Sequence, residues 1–598
     1  MWLKILAYIH RFLFDFSVKW LRSHVDERTY LIIISVAVGA VAGIAAVLLK
    51  QFVRFIKYLL DGWFAPDQFQ VLYIFYPMAG IALAVWYIQR FHGGKIEKGL
   101  SRLLLAVSRN AARLPRSASY SHLVSSALTV SFGGSAGLEA PIVITGSAIG
   151  ANVAKELRAQ ARYRNLFIAC GAAAGISAVF NSPIAGVIFA FEVLLPELTV
   201  ASFIPLLMAS ATATIISKLL FYESIFAPSI REWQLSAIPF YIVLGLLCGC
   251  VSAYMTRTTF SLEAFFKTVK LNARGRVIIG GLALGLLIFL FPPLFGEGYD
   301  TINDLFQRHY SALLNNSFFY ELKDSPWAII GFAAAMIFIK VIATALTIGA
   351  GGNGGIFAPS LFTGALTGFV WGRSVNMLTG FGLNEVNFTA IGMAGVISGV
   401  VHAPLTAIFL IAEITGGYAL IVPLMIVSSL SFFVARYIEP YSVYTKTLAK
   451  ENQVRVANTD DVLLQRIDTQ SLIEQAFAAA PYEGTLRDLL HTIKRSQRNI
   501  FPVVDQEGKF RGIILLDSIR ELIFDTSTYD QTSIQSLMQK PPTTVTPGEP
   551  APRIMEKFEK HGVWRLPVVK DERFVGFISK SRLLNAYREA LVGRPDGV

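Results

Sequence analysis

Gly133-Gly134-Ser135-Ala136-Gly137-Leu138-Glu139-Ala140-Pro141 is a glycine-rich stretch set inside apolar sequence, with residues 123–130 before it and 142–153 after it. Glycines loosen the backbone, so one helix can stop and another can start near Glu139. A helix broken at membrane depth survives only where its freed backbone groups meet protein, water or an ion. A carboxylate at that depth costs about 2.5–3.5 kcal/mol on insertion scales, which makes Glu139 a functional candidate. The competing reading is a soluble-type turn with a capping glutamate, and the surrounding sequence argues against it.

That surrounding sequence is a membrane protein's. Of 598 residues, 54% are hydrophobic and 16% are charged, against about 25% charged in soluble domains. The mean hydropathy is +0.52. Apolar runs long enough to span a bilayer occupy residues 30–49, 71–88, 203–221, 238–255, 277–291, 328–348 and 418–434. The formal net charge is +12. Basic loops at 155–164 and 267–276 fit cytoplasmic faces under the positive-inside rule, and no nucleic-acid motif competes for that charge. Cys170, Cys248 and Cys250 lie in apolar segments, so neither a disulfide framework nor a zinc site is indicated. Cys248 and Cys250, two apart, fall on different faces of a helix. Residues 1–26 interleave Trp2, Leu6 and Phe16 with Lys4, Arg11 and Lys19. This reads as an amphipathic cytoplasmic helix at a membrane surface, with no cleavage site.

The opening stretch has a second copy. Gly349-Ala350-Gly351-Gly352-Asn353-Gly354-Gly355-Ile356-Phe357-Ala358-Pro359 places its proline 218 residues after Pro141. Ser182-Pro183-Ile184-Ala185-Gly186-Val187-Ile188-Phe189-Ala190-Phe191-Glu192 is matched 221 residues later by Ala403-Pro404-Leu405-Thr406-Ala407-Ile408-Phe409-Leu410-Ile411-Ala412-Glu413. Two motifs in one order at nearly one offset make an internal duplication, about 27–222 and 235–450. Duplicated folds with broken helices are a transporter and channel signature, with the substrate site where the repeats meet. Pro183 is expected to start a helix. His402, just before Pro404, reads as a helix-start residue rather than a ligand. The twin positions of Glu192 and Glu413 favour a structural, hydrogen-bonded role. Lys340, in an apolar run, has two readings: it raises the positive potential of the inner pore, or it pairs with a carboxylate elsewhere.

Residues 451–598 change character, with frequent charges and no spanning run. Asn499-Ile500-Phe501-Pro502-Val503-Val504-Asp505 followed by Phe510-Arg511-Gly512-Ile513-Ile514 is echoed by Arg565-Leu566-Pro567-Val568-Val569-Lys570 and Phe574-Val575-Gly576-Phe577-Ile578. Helical patterns flank both copies, so a soluble α/β pair is expected, at about 470–526 and 533–592.

These motifs resemble the CLC family of chloride channels and chloride/proton antiporters. Gly137-Leu138-Glu139-Ala140-Pro141 is similar to its G-x-E-x-P element, Gly355-Ile356-Phe357-Ala358-Pro359 to its G-x-F-x-P element, and Ser442-Val443-Tyr444-Thr445 to its final pore-tyrosine segment. The tail resembles a pair of CBS domains. The resemblance implies a mostly α membrane protein, an inverted-repeat transmembrane domain over 27–450 with broken helices, and a cytoplasmic α/β CBS pair over 451–598. It implies that the N–H groups of Ile356 and Phe357 and the Tyr444 hydroxyl ring a central anion, with Gly137 and Gly99 at the anion path. Glu139 would be the gate, competing with chloride for its outer site and opening the path when protonated or swung away. Helix N-termini suit this task, because partial positive charge holds an anion yet lets it leave.

Two departures from the family pattern matter. The antiporters' second, proton-relaying glutamate follows the residue matching Glu192, and here that position is Val193. This favours a gated channel with passive chloride flux over the alternative, a chloride/proton antiporter. The family's first pore element, G-S-G-I-P, has as its nearest match Glu97-Lys98-Gly99-Leu100-Ser101. Lys98 then stands in place of the pore serine, or it snorkels to the cytoplasmic surface. In the tail, Asp517 fits the place of a ribose-binding aspartate, while the second repeat has Ser579-Lys580-Ser581. An adenine nucleotide at Asp517 and a dimerising module without nucleotide are both open. No cofactor is required.

The resemblance further implies a homodimer meeting on the helices at 184–195 and 405–414, both termini cytoplasmic, and voltage sensitivity. The composition suggests a bacterial inner or other plasma membrane. A divalent-cation transporter would need clustered ligands, which the sequence lacks. The 349–355 glycines lack the Gly-Lys-Ser/Thr of a phosphate loop, and nothing indicates an enzyme.

Overall fold

The computed structural model describes residues 24–63, 74–94, 99–108, 114–157, 159–194, 202–221, 226, 230–269, 272–450, 464 and 467–592. The expected N-terminal amphipathic helix and Lys98 lie outside the described residues. The chain divides into two compact units, Met1–Val454 and Arg455–Val598.

In the first unit the helices are α1 (Glu27–Trp63), α2 (Tyr76–His92), α3 (Leu100–Ser108), α4 (Ala118–Ser131), α5 (Glu139–Glu156), α6 (Ala161–Phe180), α7 (Pro183–Phe189) and α8 (Phe203–Leu220). They continue as α9 (Ile238–Thr268), α10 (Ala273–Leu290), α11 (Tyr299–Phe306), α12 (Pro326–Gly349), α13 (Phe357–Thr379), α14 (Glu385–Val401), α15 (Pro404–Ile414), α16 (Ile421–Ile438) and α17 (Lys446–Lys450). Seven stretches among the described residues are long and apolar enough to cross a membrane: Glu27–Leu60, Tyr163–Phe180, Phe203–Leu220, Leu235–Thr268, Ala273–Leu290, Pro326–Gly349 and Ile421–Ile438. The expected span at 71–88 is not among them. Its described part belongs to α2, which starts at Tyr76 and runs only 17 residues. The span at Tyr163–Phe180, not among the expected runs, is rich in alanine and is 83% buried inside the protein.

The duplication appears in local conformation. Asn181 (φ 55°) closes α6 and His402 (φ 61°) closes α14, both left-handed. His402 therefore ends a helix rather than starting one, and Pro183 and Pro404 open the next helices. α5 crosses α6 and α13 crosses α14 at twin glycines. A Cβ at Gly146 would overlap the Gly171 carbonyl, and one at Gly364 the Gly392 carbonyl. These contacts bring backbones together at the centre of the unit, where α5, α13 and α14 are buried on nearly every side. Cys248 is buried and Cys250 exposed, as their spacing requires.

The second unit holds β1 (Ala480–Pro481), β2 (Ile500–Val504) and β3 (Phe510–Leu515) in one sheet and β4 (Arg565–Lys570) with β5 (Arg573–Ser579) in another. The hairpins β2–β3 and β4–β5 are antiparallel, and their registers slip at twin positions, Val503/Val504 and Val568/Val569. Helices α18 (Leu486–Lys494), α19 (Ile534–Leu537), α20 (Ala551–His561) and α21 (Lys580–Val592) complete it. Each hairpin has its own apolar core, around Phe501 and Ile514 or around Phe558 and Leu566.

Candidate functional site

The two glycine stretches meet. Gly137 N–H donates to the Gly355 carbonyl at 2.9 Å, and Gly355 N–H to the Gly137 carbonyl at 2.7 Å. On either side the contacts are reciprocal. Ser135 N–H donates to Thr347 Oγ1 at 3.1 Å, and Asn353 N–H to Thr129 Oγ1 at 3.1 Å. Each threonine donates in turn to the carbonyl four residues back in its own helix. Backbone groups freed by the broken helices are thus satisfied by the other repeat, which is how irregular backbone persists at membrane depth.

From this pair both helices set off alike. Leu138 (φ −91°, ψ −8°) precedes α5, and Ile356 (φ −93°, ψ −6°) precedes α13. Neither N-terminus has a side-chain cap, so both leave N–H groups and positive dipole ends for a ligand. Glu139 and Phe357 occupy equivalent first positions. Glu139 is 1% exposed. The Ala358 N–H, in the first turn of α13, faces its carboxylate, although Glu139 Oε2 itself makes no hydrogen bond. The glutamate of one repeat thus lies at the helix N-terminus of the other, where an anion would be held. Tyr299, at the start of α11, donates its hydroxyl to Glu139 Oε1. Sequence reasoning missed this partner, 160 residues away. Its only local signal is Gly296-Glu297-Gly298-Tyr299, a carboxylate between two glycines of positive φ (61° and 87°).

Below the site opens a cavity of about 600 Å³ lined by Gly99, Asn353, Ile356 and Tyr444, with Arg102, Lys267 and Arg276 against a single acid, Glu263. Ile356, Tyr444 and Gly99 line this cavity, while Phe357 follows Ile356 into α13 and Gly137 pairs with Gly355, another lining residue. Phe357 is buried against Phe180, ring centres 5.7 Å apart. Tyr444 is 7% exposed, and its segment is tied down by Val443 N–H on the Val400 carbonyl at 3.2 Å. Glu439 clamps Arg257 and Lys446 at 2.5 Å each. Partial burial works against its charge, but these two cations outweigh that and hold its carboxyl below the usual range.

Glu192 accepts from Leu405 N–H (3.1 Å) and Thr406 N–H (2.7 Å). Glu413 accepts from Ile184 N–H (3.1 Å) and Ala185 N–H (2.9 Å). Each glutamate caps the other repeat's helix, α15 or α7. The shared structural role read from their twin positions has this bonding as its basis. Lys340 is fully buried and bonds carbonyls of the Leu294–Gly296 segment, so its amine is not turned into the inner cavity. In the second unit Asp517 is exposed and paired with Arg520 at 2.6 Å.

Comparison with known proteins agrees with this geometry. The model of the voltage gated chloride channel family matches residues 80–436, and the CBS domain model matches 472–525 and 534–589. A ClcB-like protein of Ralstonia nicotianae is 30% identical over 397 residues, covering 65% of this chain and 86% of its own length. The chloride channel protein CLC-f of Arabidopsis thaliana is 26% identical over 515 residues, covering 75% and 64%. Among solved structures, a CLC-type fluoride/proton antiporter superposes with TM-score 0.57 at 26% identity, over 70% of this chain and 97% of the other. A slow cyanobacterial Cl⁻/H⁺ antiporter gives TM-score 0.60 at 24% identity, over 72% and 100%, a likeness of fold. With duplicated helix ends meeting at a buried glutamate and a family match across most of the membrane unit, this chain is an anion-transport protein that belongs to the family of voltage gated chloride channels.

Proposed function

We propose that the protein is a gated anion channel carrying passive chloride flux, with Glu139 as the gate and no proton coupling. The observation that supports this most is the placement of the Glu139 carboxylate at the α13 N-terminus, facing Ala358 N–H, where it competes with an anion for one electrostatic site. Neutralising the carboxylate removes the competition and leaves the helix N-termini for chloride. Ile356, Phe357, Tyr444, Gly137 and Gly99 form the rest of the path. Val193, directly after Glu192, holds no proton where the family's antiporters relay one.

The second reading, a chloride/proton antiporter, is favoured by similarity to a solved fluoride/proton antiporter. The two separate in one experiment on protein reconstituted in a planar bilayer. For a channel, the zero-current voltage follows the chloride gradient and stays put when a proton gradient is imposed. A shift with the proton gradient would overturn the channel reading. In the same assay Glu139→Gln, a neutral mimic of the protonated gate, is expected to leave flux nearly independent of external pH. Unchanged pH dependence would remove Glu139 from the gating role.

The positive-inside rule favours the cytoplasmic side for the basic loops at 155–164 and 267–276, and the family resemblance supports both termini on that side. The helices α7 and α15 form the face for a homodimer, on which Leu405 is 53% exposed. An adenine nucleotide would bind the tail at Asp517.

A further inference from the structure

The loop that carries Tyr299 onto Glu139 is held from beneath. Lys340, on α12, is 0% exposed. Its ammonium donates to the Gly296 carbonyl at 2.9 Å and to the Leu294 carbonyl at 3.3 Å. It also lies 4.7 Å from the centre of the Phe362 ring. The same ring abuts Gly298, where a Cβ would overlap it. Gly296 N–H reaches the Gly133 carbonyl at 3.4 Å, tying the loop to the first broken stretch. The Tyr299 ring stands edge-on to Phe226, centres 5.2 Å apart. A buried amine is expensive unless bonded, and here the bonds it makes are to the loop's own carbonyls. An apolar side chain would fill the space under this loop at lower cost, but it would not fix the loop's carbonyls.

We infer that Lys340 and Tyr299 form a latch on the gate: Lys340 fixes the loop at Leu294 and Gly296, and the loop fixes the Tyr299 hydroxyl on the Glu139 carboxylate. Lys340 is a positioning residue, acting through Tyr299. The inference rests on Glu139 being the gate. Other groups also face this assembly. Glu297 and Tyr444 face Glu139, and Lys50 and Lys57 of α1 face Glu297. None of these replaces the Tyr299 donor on Glu139 Oε1. A donor on a carboxylate favours its charged form, and its loss disfavours that form. Breaking the latch therefore frees the gate at higher pH.

The test is chloride efflux from liposomes holding the full chain, measured across about pH 5 to 8. Tyr299→Phe keeps the ring and its Phe226 contact but removes the donor. It is expected to raise neutral-pH efflux severalfold and to move half-activation upward by about one pH unit, the scale of one charge-assisted hydrogen bond. Lys340→Met is expected to move it the same way, and Lys340→Gln, which keeps a donor, by less. In a Glu139→Gln background none of the three changes the profile. A profile shift that persists in that background overturns the latch, as does a uniform loss of efflux with no shift. If Lys340→Met does not reconstitute, Tyr299→Phe decides alone, and an unmoved profile overturns the inference. Wild-type pH dependence in Glu139→Gln by itself is a separate result, which defeats the gate assignment beneath the latch.

Discussion

Glu139, Glu192 and Glu413 are three glutamates in apolar sequence, and the structure separates them by what surrounds each carboxylate. Glu192 and Glu413 each collect two backbone N–H donors from a helix start, and Glu192 a third bond from the Thr406 hydroxyl. Glu139 has a single side-chain donor, Tyr299, and an unbonded oxygen. A carboxylate bonded at both oxygens has no reason to move, whereas one with an unbonded oxygen has. Glu192→Gln and Glu413→Gln turn an acceptor pair into a mixed amide, which leaves at least one N–H facing an NH₂ group. Each is expected to cost about 1–3 kcal/mol and to lower the unfolding temperature of detergent-purified protein while the pH profile of efflux keeps its midpoint. A moved midpoint would instead make that glutamate part of the proton path. Their role was legible in the sequence because the twin positions lie in one recognisable repeat. Tyr299 was not legible, since its partnership with Glu139 depends on α11 returning to the start of α5, and no local pattern records that return.

At the scale of elements, proline and glycine punctuation carried most of the readable signal. It marked the starts of α7 and α15 at Pro183 and Pro404 and the breaks before α5 and α13. It did not reveal the crossings, because whether a glycine serves conformation or close approach depends on the neighbouring helix. Gly146 and Gly364 are close-approach positions, each facing a carbonyl across the interface. Gly331 in α12 has nothing within 4 Å of its would-be Cβ. Alanine is the better helix former by about 1 kcal/mol, so propensity alone predicts stabilisation at all three sites. Packing reverses the sign at two of them. Overpacking costs about 1–3 kcal/mol, and here the obstacle is backbone, which cannot rotate away. Gly146→Ala and Gly364→Ala should lower the thermal midpoint in detergent, and Gly331→Ala should hold or raise it. A rise at Gly146 would mean that α5 and α6 part without cost.

For the whole molecule, the duplication makes the site a joint product, since neither repeat alone satisfies its own broken backbone. The 218-residue offset announced this in the sequence, and the reciprocal bonds from Ser135 to Thr347 and from Asn353 to Thr129 are its structural consequence. The two compact units have separate apolar cores, so two thermal transitions are expected rather than one. This allows a ligand of the tail to be read on its own transition. Asp517 is exposed, and its ion pair with Arg520 is of the surface kind that is worth little, so a ribose could displace the arginine. The matching position of the second hairpin is Ser581, where a hydroxyl already turned onto Ser579 stands in place of the carboxylate. One adenine nucleotide per chain is therefore expected. At a concentration 100 times its dissociation constant it would stabilise the tail by about 2.7 kcal/mol, raising the tail's transition and leaving that of the membrane unit in place. Asp517→Asn should abolish the rise. Two nucleotides per chain by calorimetry, or an undiminished rise in Asp517→Asn, would place the ligand elsewhere in the tail, and no rise with wild-type protein would leave the CBS pair as a module that acts without nucleotide.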